Sequence, residues 1–139
     1  MKIMLVCSTA FYHKVENIKE ELEKMGHSIC LPNCYGEEDN WNTEDMNDEE
    51  MSKFFNDMFH QSRNKIADVD AIVVLNYSKE KNGKVLENYI GASTFLEMYE
   101  AFMNNKKIFM MNGYPSNMLI DEIKGFAPIL INGDLNLVK

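Results

Sequence analysis

Ala71 to Leu75 reads AIVVL, an apolar run with no polar residue inside it. A strand with one wet face alternates apolar and polar residues. An unbroken, β-branched run instead marks a strand covered on both sides, the centre of a parallel sheet with helices above and below. Such a strand needs partners along both edges. Four further runs supply them: Lys2 to Cys7, His27 to Leu31 (stopped by Pro32-Asn33), Lys107 to Met111, and Pro128 to Ile131, ended by Asn132-Gly133.

The covering layers follow from helical spacing. Val15, Ile18, Leu22 and Met25 recur on one helix face before Gly26 closes it. Met51, Phe54, Phe55, Met58, Phe59, Ser62 and Ile66 trace the inner face of a second helix, fed at its start by Asp48, Glu49 and Glu50 as the helix dipole favours. Phe95, Tyr99, Phe102 and Met103 mark the buried side of a third, and Met118 to Lys124 forms a short fourth. Strand and helix alternate throughout. The expectation is one α/β domain over residues 1–139, a flavodoxin- or Rossmann-like three-layer sandwich whose five-stranded parallel sheet has the order 2-1-3-4-5. In such a sheet ligands sit at the carboxyl ends of the strands, near the switch point between the first and third. The loops there are Ser8 to Tyr12, Asn76 to Thr94 and Asn112 to Asn117, so Ser8, Asn76 and Asn112 are expected at the crevice.

Charge and cysteine content narrow the function. The chain carries 14 Lys and Arg against 22 Asp and Glu, a net charge of -8, which argues against nucleic acid as a partner. Eight of the fourteen residues from Glu37 to Glu50 are acidic, a segment best read as a solvated loop that holds the single tryptophan, Trp41. Cys7, Cys30 and Cys34 form neither an even disulfide framework nor a zinc pattern, so reduced thiols in a cytoplasmic protein are expected. His13, His27 and His60 do not cluster at ligand spacing, and no metal or cofactor is expected. No apolar run approaches the roughly 18 residues a membrane helix requires.

Asn88 to Met103 (NYIGASTFLEMYEAFM) is the stretch with chemistry in it. A turn containing Gly91 leads through Ala92, Ser93 and Thr94 into the third helix, and backbone N–H groups at such a start suit an anion. One carboxylate, Glu97, falls in what reads as the first helical turn. It has two readings. Thr94-Phe95-Leu96-Glu97 matches a capping box, and on the wheel Glu97 lies with Ser93, Glu100 and Asn104, as a solvated residue would; alternatively it is a working group in the crevice. The first loop lacks both GxGxxG and GxxxxGK[ST], which excludes a dinucleotide fingerprint and a P-loop.

Taken together, the strand ending AIVVLN, the polar loop, the glycine-containing turn and the helical Glu97-Met98-Tyr99-Glu100-Ala101 resemble the nucleoside 2-deoxyribosyltransferase superfamily. That superfamily includes the 2'-deoxynucleoside 5'-phosphate N-hydrolases. The resemblance runs from the aromatic-bearing first loop, Phe11 and Tyr12, to Pro128–Asp134 (PILINGD). It implies cleavage or base exchange at the N-glycosidic bond of a nucleoside or nucleoside 5'-monophosphate, with Glu97 as nucleophile. It also implies that Gly91, Ala92, Ser93 and Thr94 hold a phosphate or sugar oxygens, that Phe11 or Tyr12 touches base or sugar, and that the protein is a homodimer or higher oligomer. Phe11 and Tyr12 read equally well as aromatics at the edge of the core. One departure stands out. Where the family carries an Asp eight residues before the acidic residue that opens the third strand, counting back from Asp70 reaches Ser62. A non-catalytic nucleotide-binding or signal-sensing module of the same fold is the alternative.

Overall fold

The structure, a computed structural model, describes residues 1–116 and 119–139, the side chain of Asp39 apart. In chain order its elements are β1 (Lys2–Val6), α1 (Tyr12–Lys24), β2 (Ser28–Cys30), α2 (Asp48–Ala67), β3 (Ala71–Val74), β4 (Lys79–Lys81), β5 (Lys84–Leu86), α3 (Ala92–Met103), β6 (Lys107–Met110), α4 (Ile120–Gly125) and β7 (Ile129–Leu130). The main sheet has the order β2-β1-β3-β6-β7 and is parallel at every pairing, with Met4 opposite Ile72 and Ile72 opposite Ile108. This is the expected five-strand order, with one addition. The polar loop after the third strand contains an antiparallel hairpin, β4 on β5, turned at Asn82-Gly83, both with positive φ.

The apolar run AIVVL is fully covered: every residue from Ala71 to Leu75 is at most 1% exposed. Alternate residues feed two cores. Ile3, Leu5, Ala71, Val73 and Phe109 meet Val15, Ile18 and Leu22 of α1. Met4, Val6, Ile72, Val74, Ile108 and Met110 meet Ile66 of α2, Met98 and Ala101 of α3, and Ile123 of α4. Two-sided burial of a strand this short requires apolar residues at both parities, which is why no alternation survives in the sequence.

Three expectations are corrected. First, α3 buries Thr94, Met98 and Ala101, whereas Tyr99 (49% exposed), Phe102 and Met103 lie at the surface and Phe95 is half-buried. The rings of Phe95, Tyr99 and Phe102 gather around Phe126 beside α4. Second, of the seven residues assigned to the inner face of α2, only Ser62 and Ile66 are buried. At 20 residues α2 spans about 30 Å, against about 15 Å for the four- and five-residue strands it covers, so its N-terminal half overhangs the sheet. The start of α2 is as read: Asn47 and Glu50 form a capping box, with Asp48, Glu49 and Glu50 in the first turn. Third, α4 begins at Ile120; Met118, assigned to that helix, and Asn117, the end of the third crevice loop, lie outside the described residues.

Candidate active site

The overhang of α2 makes one wall of a cavity of about 670 Å³ at the carboxyl ends of β1 and β2. Its floor comes from the residues that leave the sheet, Cys7 and Ser8 after β1 and Asn33 and Cys34 after β2. The start of α3, Gly91 to Thr94 with Glu97, forms a second wall. Opposite stand Phe54, Phe55, Met58 and Phe59 of α2, together with Trp41, whose ring packs on Phe54 at 5.1 Å between centroids. The apolar side chains that the hydrophobic pattern assigned to the core thus surround a space of the size that holds a drug-sized or nucleoside-sized ligand.

Glu97 projects into this space from the second turn of α3. The helix begins at Ala92 with Gly91 as its N-cap and no side-chain cap bond, so the capping box is not formed and Glu97 is not in the first turn. The placement reverses its electrostatics. A first-turn carboxylate would be held ionised by the helix N-terminus. Here burial dominates and pushes the Glu97 carboxyl up to about 7, against the pull of a hydrogen bond from Ser62 and the charge of Lys65. Ser62 Oγ donates to Glu97 Oε2 at 3.0 Å. Behind it Asn33 Nδ2 donates to Ser62 Oγ at 2.6 Å, and Tyr12 Oη donates to the Asn33 carbonyl at 2.7 Å. At the rim Arg63 of α2 faces Glu100 of α3 at 3.5 Å. Cys7 is no competing nucleophile: burial first and the Glu97 charge second push its thiol up to about 12.

The expected site residues divide into two groups. Ser8, Tyr12, Gly91, Ala92, Ser93, Thr94 and Glu97 all line the cavity. Phe11, Asn76 and Asn112 do not. Phe11 is 2% exposed and packs edge-on against Tyr77 and Tyr89. Asn76 is fully buried as a clamp: its Oδ1 accepts from the Asn112 backbone N–H and its Nδ2 donates to the Gly113 carbonyl, both at 2.9 Å, while Asn112 Nδ2 donates to the Asn76 carbonyl at 2.9 Å. These two side chains tie the end of β3 to the end of β6.

Asn33, Trp41, Phe54 and Phe55 were not expected in the site. Their sequence signals were the Pro32-Asn33 stop at the end of a strand, a tryptophan inside an acidic loop, and the place of Phe54 and Phe55 in an apolar helical stripe read as core. Among the described residues no group of three His, Cys, Asp or Glu side chains comes together as a metal site, and no helix is long and apolar enough to cross a membrane.

No protein-family model matches the sequence, and no curated protein matches it. Among solved structures, a CMP N-glycosidase from Clostridium botulinum is similar over 94% of this chain and 85% of its own, with a TM-score of 0.48 and 15% identity. A 2-deoxyribosyltransferase from Bacillus psychrosaccharolyticus is similar over 88% of this chain and 81% of its own, with a TM-score of 0.49 and 18% identity.

Proposed function

We propose that this chain breaks the N-glycosidic bond of a nucleoside or nucleoside 5'-monophosphate through Glu97, passing the sugar to water or to a second base. One observation carries the reading. A recessed carboxylate stands between an aromatic wall and an uncapped helix start, in a cavity that fits such a substrate. The aromatic wall suits the flat base. The N–H groups and hydroxyls of Ser93 and Thr94 suit the oxygens of the sugar or its phosphate.

In the chemistry this allows, a Glu97 oxygen forms a bond to C1' as the bond from C1' to the base nitrogen breaks, and the bonding electron pair leaves with the base, which takes up a proton. The result is a glycosyl ester. Water or another base then attacks C1' from the vacated side, the ester bond breaks, Glu97 is restored as a carboxylate, and the attacking group loses its proton. Two displacements retain the configuration at C1'. Oε2 accepts from Ser62, and Oε1 accepts from no described residue.

The nucleophile must be ionised, and burial holds Glu97 near neutrality. Base release is therefore expected to fall on the acid side of about pH 7, approaching tenfold per unit once most of Glu97 is protonated. Chromatography of a panel of nucleosides and 5'-monophosphates, with and without a second free base, tests the reading. Free base or an exchanged nucleoside supports it, and the absence of product from every substrate at pH 8 refutes it.

A further inference from the structure

The hydrogen bond from Ser62 to Glu97 could run either way, because a serine hydroxyl both donates and accepts. Its surroundings remove the choice. Ser62 lies inside α2, where a serine proton commonly turns back to the carbonyl four residues earlier, here that of Met58. That carbonyl already serves the helix, and it also accepts from Asn33 Nδ2 at 3.2 Å. The same Nδ2 donates to Ser62 Oγ at 2.6 Å, filling one of its lone pairs. Asn33 is 7% exposed and Ser62 8%, so both sit against the cavity wall with little surface open to solvent. Rotating the Asn33 amide would set its oxygen against the Met58 carbonyl oxygen, and its present Oδ1 is buried with no hydrogen-bond partner among the described residues. The amide is held in place for what its nitrogen does.

We infer that Asn33 is a positioning residue, which by occupying the Met58 carbonyl and one lone pair of Ser62 Oγ directs the hydroxyl proton to Glu97 and so favours the carboxylate. The inference rests on the reading of Glu97 as the working group. A Glu97 protonated on Oε1 can still accept from Ser62 at Oε2, but a neutral carboxyl oxygen is a weaker acceptor than a carboxylate oxygen, so a hydroxyl held in the donating direction favours the ionised form. An acid at position 62 would repel the carboxylate, whereas a directed hydroxyl supports it. The other ionisable groups felt by Glu97 are Lys65 on α2, Cys7 at the end of β1, Tyr12 on α1 and Cys30 in β2, and none of them hydrogen-bonds it. Lys65 Nζ donates instead to the Leu31 carbonyl at 3.2 Å.

The test is the titration of the Glu97 side-chain carboxyl carbon by NMR in the carbon-13-labelled protein, assigned by its disappearance in Glu97→Gln. Ser62→Ala is expected to raise the midpoint by about one pH unit. Asn33→Ala should move it in the same direction, and the double variant should match Ser62→Ala alone. Ser62→Thr, which keeps the hydroxyl, should leave it in place. Asn33→Asp preserves the shape and replaces the donor by an acceptor, so it should raise the midpoint further than Asn33→Ala; it also serves if the alanine variant does not fold. An unmoved midpoint in the Asn33 variants, or an Asn33→Ala effect that adds in full to that of Ser62→Ala, overturns the inference. The titration uses no substrate. A protein that shows this coupling and yet releases no base refutes the proposed activity alone, and base release without the coupling refutes the role of Asn33 alone.

Discussion

Glutamine in place of Glu97 is expected to cut base release by about a thousandfold or more, and at the same time to make the protein more stable at pH 8. The loss follows from removing the attacking oxygen while keeping its shape. The gain follows from burial. Glu97 has an ordinary carboxyl value of 4.5 when unfolded and about 7 in the fold. Between these values the folded chain holds the proton more tightly than the unfolded one, so this residue's contribution to stability is greatest below pH 4.5 and is lost as pH rises to about 7. At pH 8 the charged carboxylate costs on the order of 3 kcal/mol relative to a neutral isostere. Glu97→Gln should therefore melt several degrees higher than wild type at pH 8 and at nearly the same temperature at pH 4. Identical melting curves at both pH values would show that the recess does not penalise the charge.

The second large effect separates the clamp from the cavity. Asn76→Ala removes the partner of the part-buried Asn112 N–H and of the part-buried Gly113 carbonyl and empties a fully buried side-chain position. Unfolding in urea is expected to show a loss of about 3 kcal/mol, read as a lower midpoint at unchanged slope. Because Asn76 does not line the cavity, KM in the folded fraction should stay at the wild-type value. A raised KM with unchanged stability would instead place Asn76 against the substrate.

The sheet was legible because AIVVL is too short for a buried helix, rich in β-branched residues and without polar alternation, the mark of a strand covered on both faces. Alternating strands and helices with right-handed crossovers favour a parallel sheet. The place of the crevice was legible for the same topological reason, and Ser8, Tyr12 and Gly91 to Thr94 line the cavity at that end of the sheet. The failures have a common cause. An apolar stripe states that a helix face avoids water and leaves open what it meets. On α3 the sheet takes the small Ala101 with Met98, because the backbone must come close there, Thr94 is buried at the cavity wall, and the bulkier Tyr99 and Phe102 are left outside. On α2 the stripe runs past the end of the sheet, so Phe54 and Phe55 line a cavity instead of filling a core. The start of α3 shows a third kind of ambiguity. Thr94-Phe95-Leu96-Glu97 carries the residues of a capping box, but the helix starts at Ala92, and a side chain that reads as a local cap becomes a long-range partner of Ser62. Asn33 is the hardest to foresee. Its role depends on Met58, Ser62 and Glu97 meeting from two separate helices, and nothing in the sequence around Pro32 signals that meeting.

The most direct test of Glu97 as the nucleophile is mass spectrometry of the wild-type protein quenched in acid during turnover of a nucleoside or nucleoside 5'-monophosphate. The predicted result is a mass increase equal to the sugar, or to the sugar phosphate, on the peptide that contains Glu97, absent from Glu97→Gln. Base release by Glu97→Gln at the wild-type rate, or turnover with the added mass on a different residue, would contradict it.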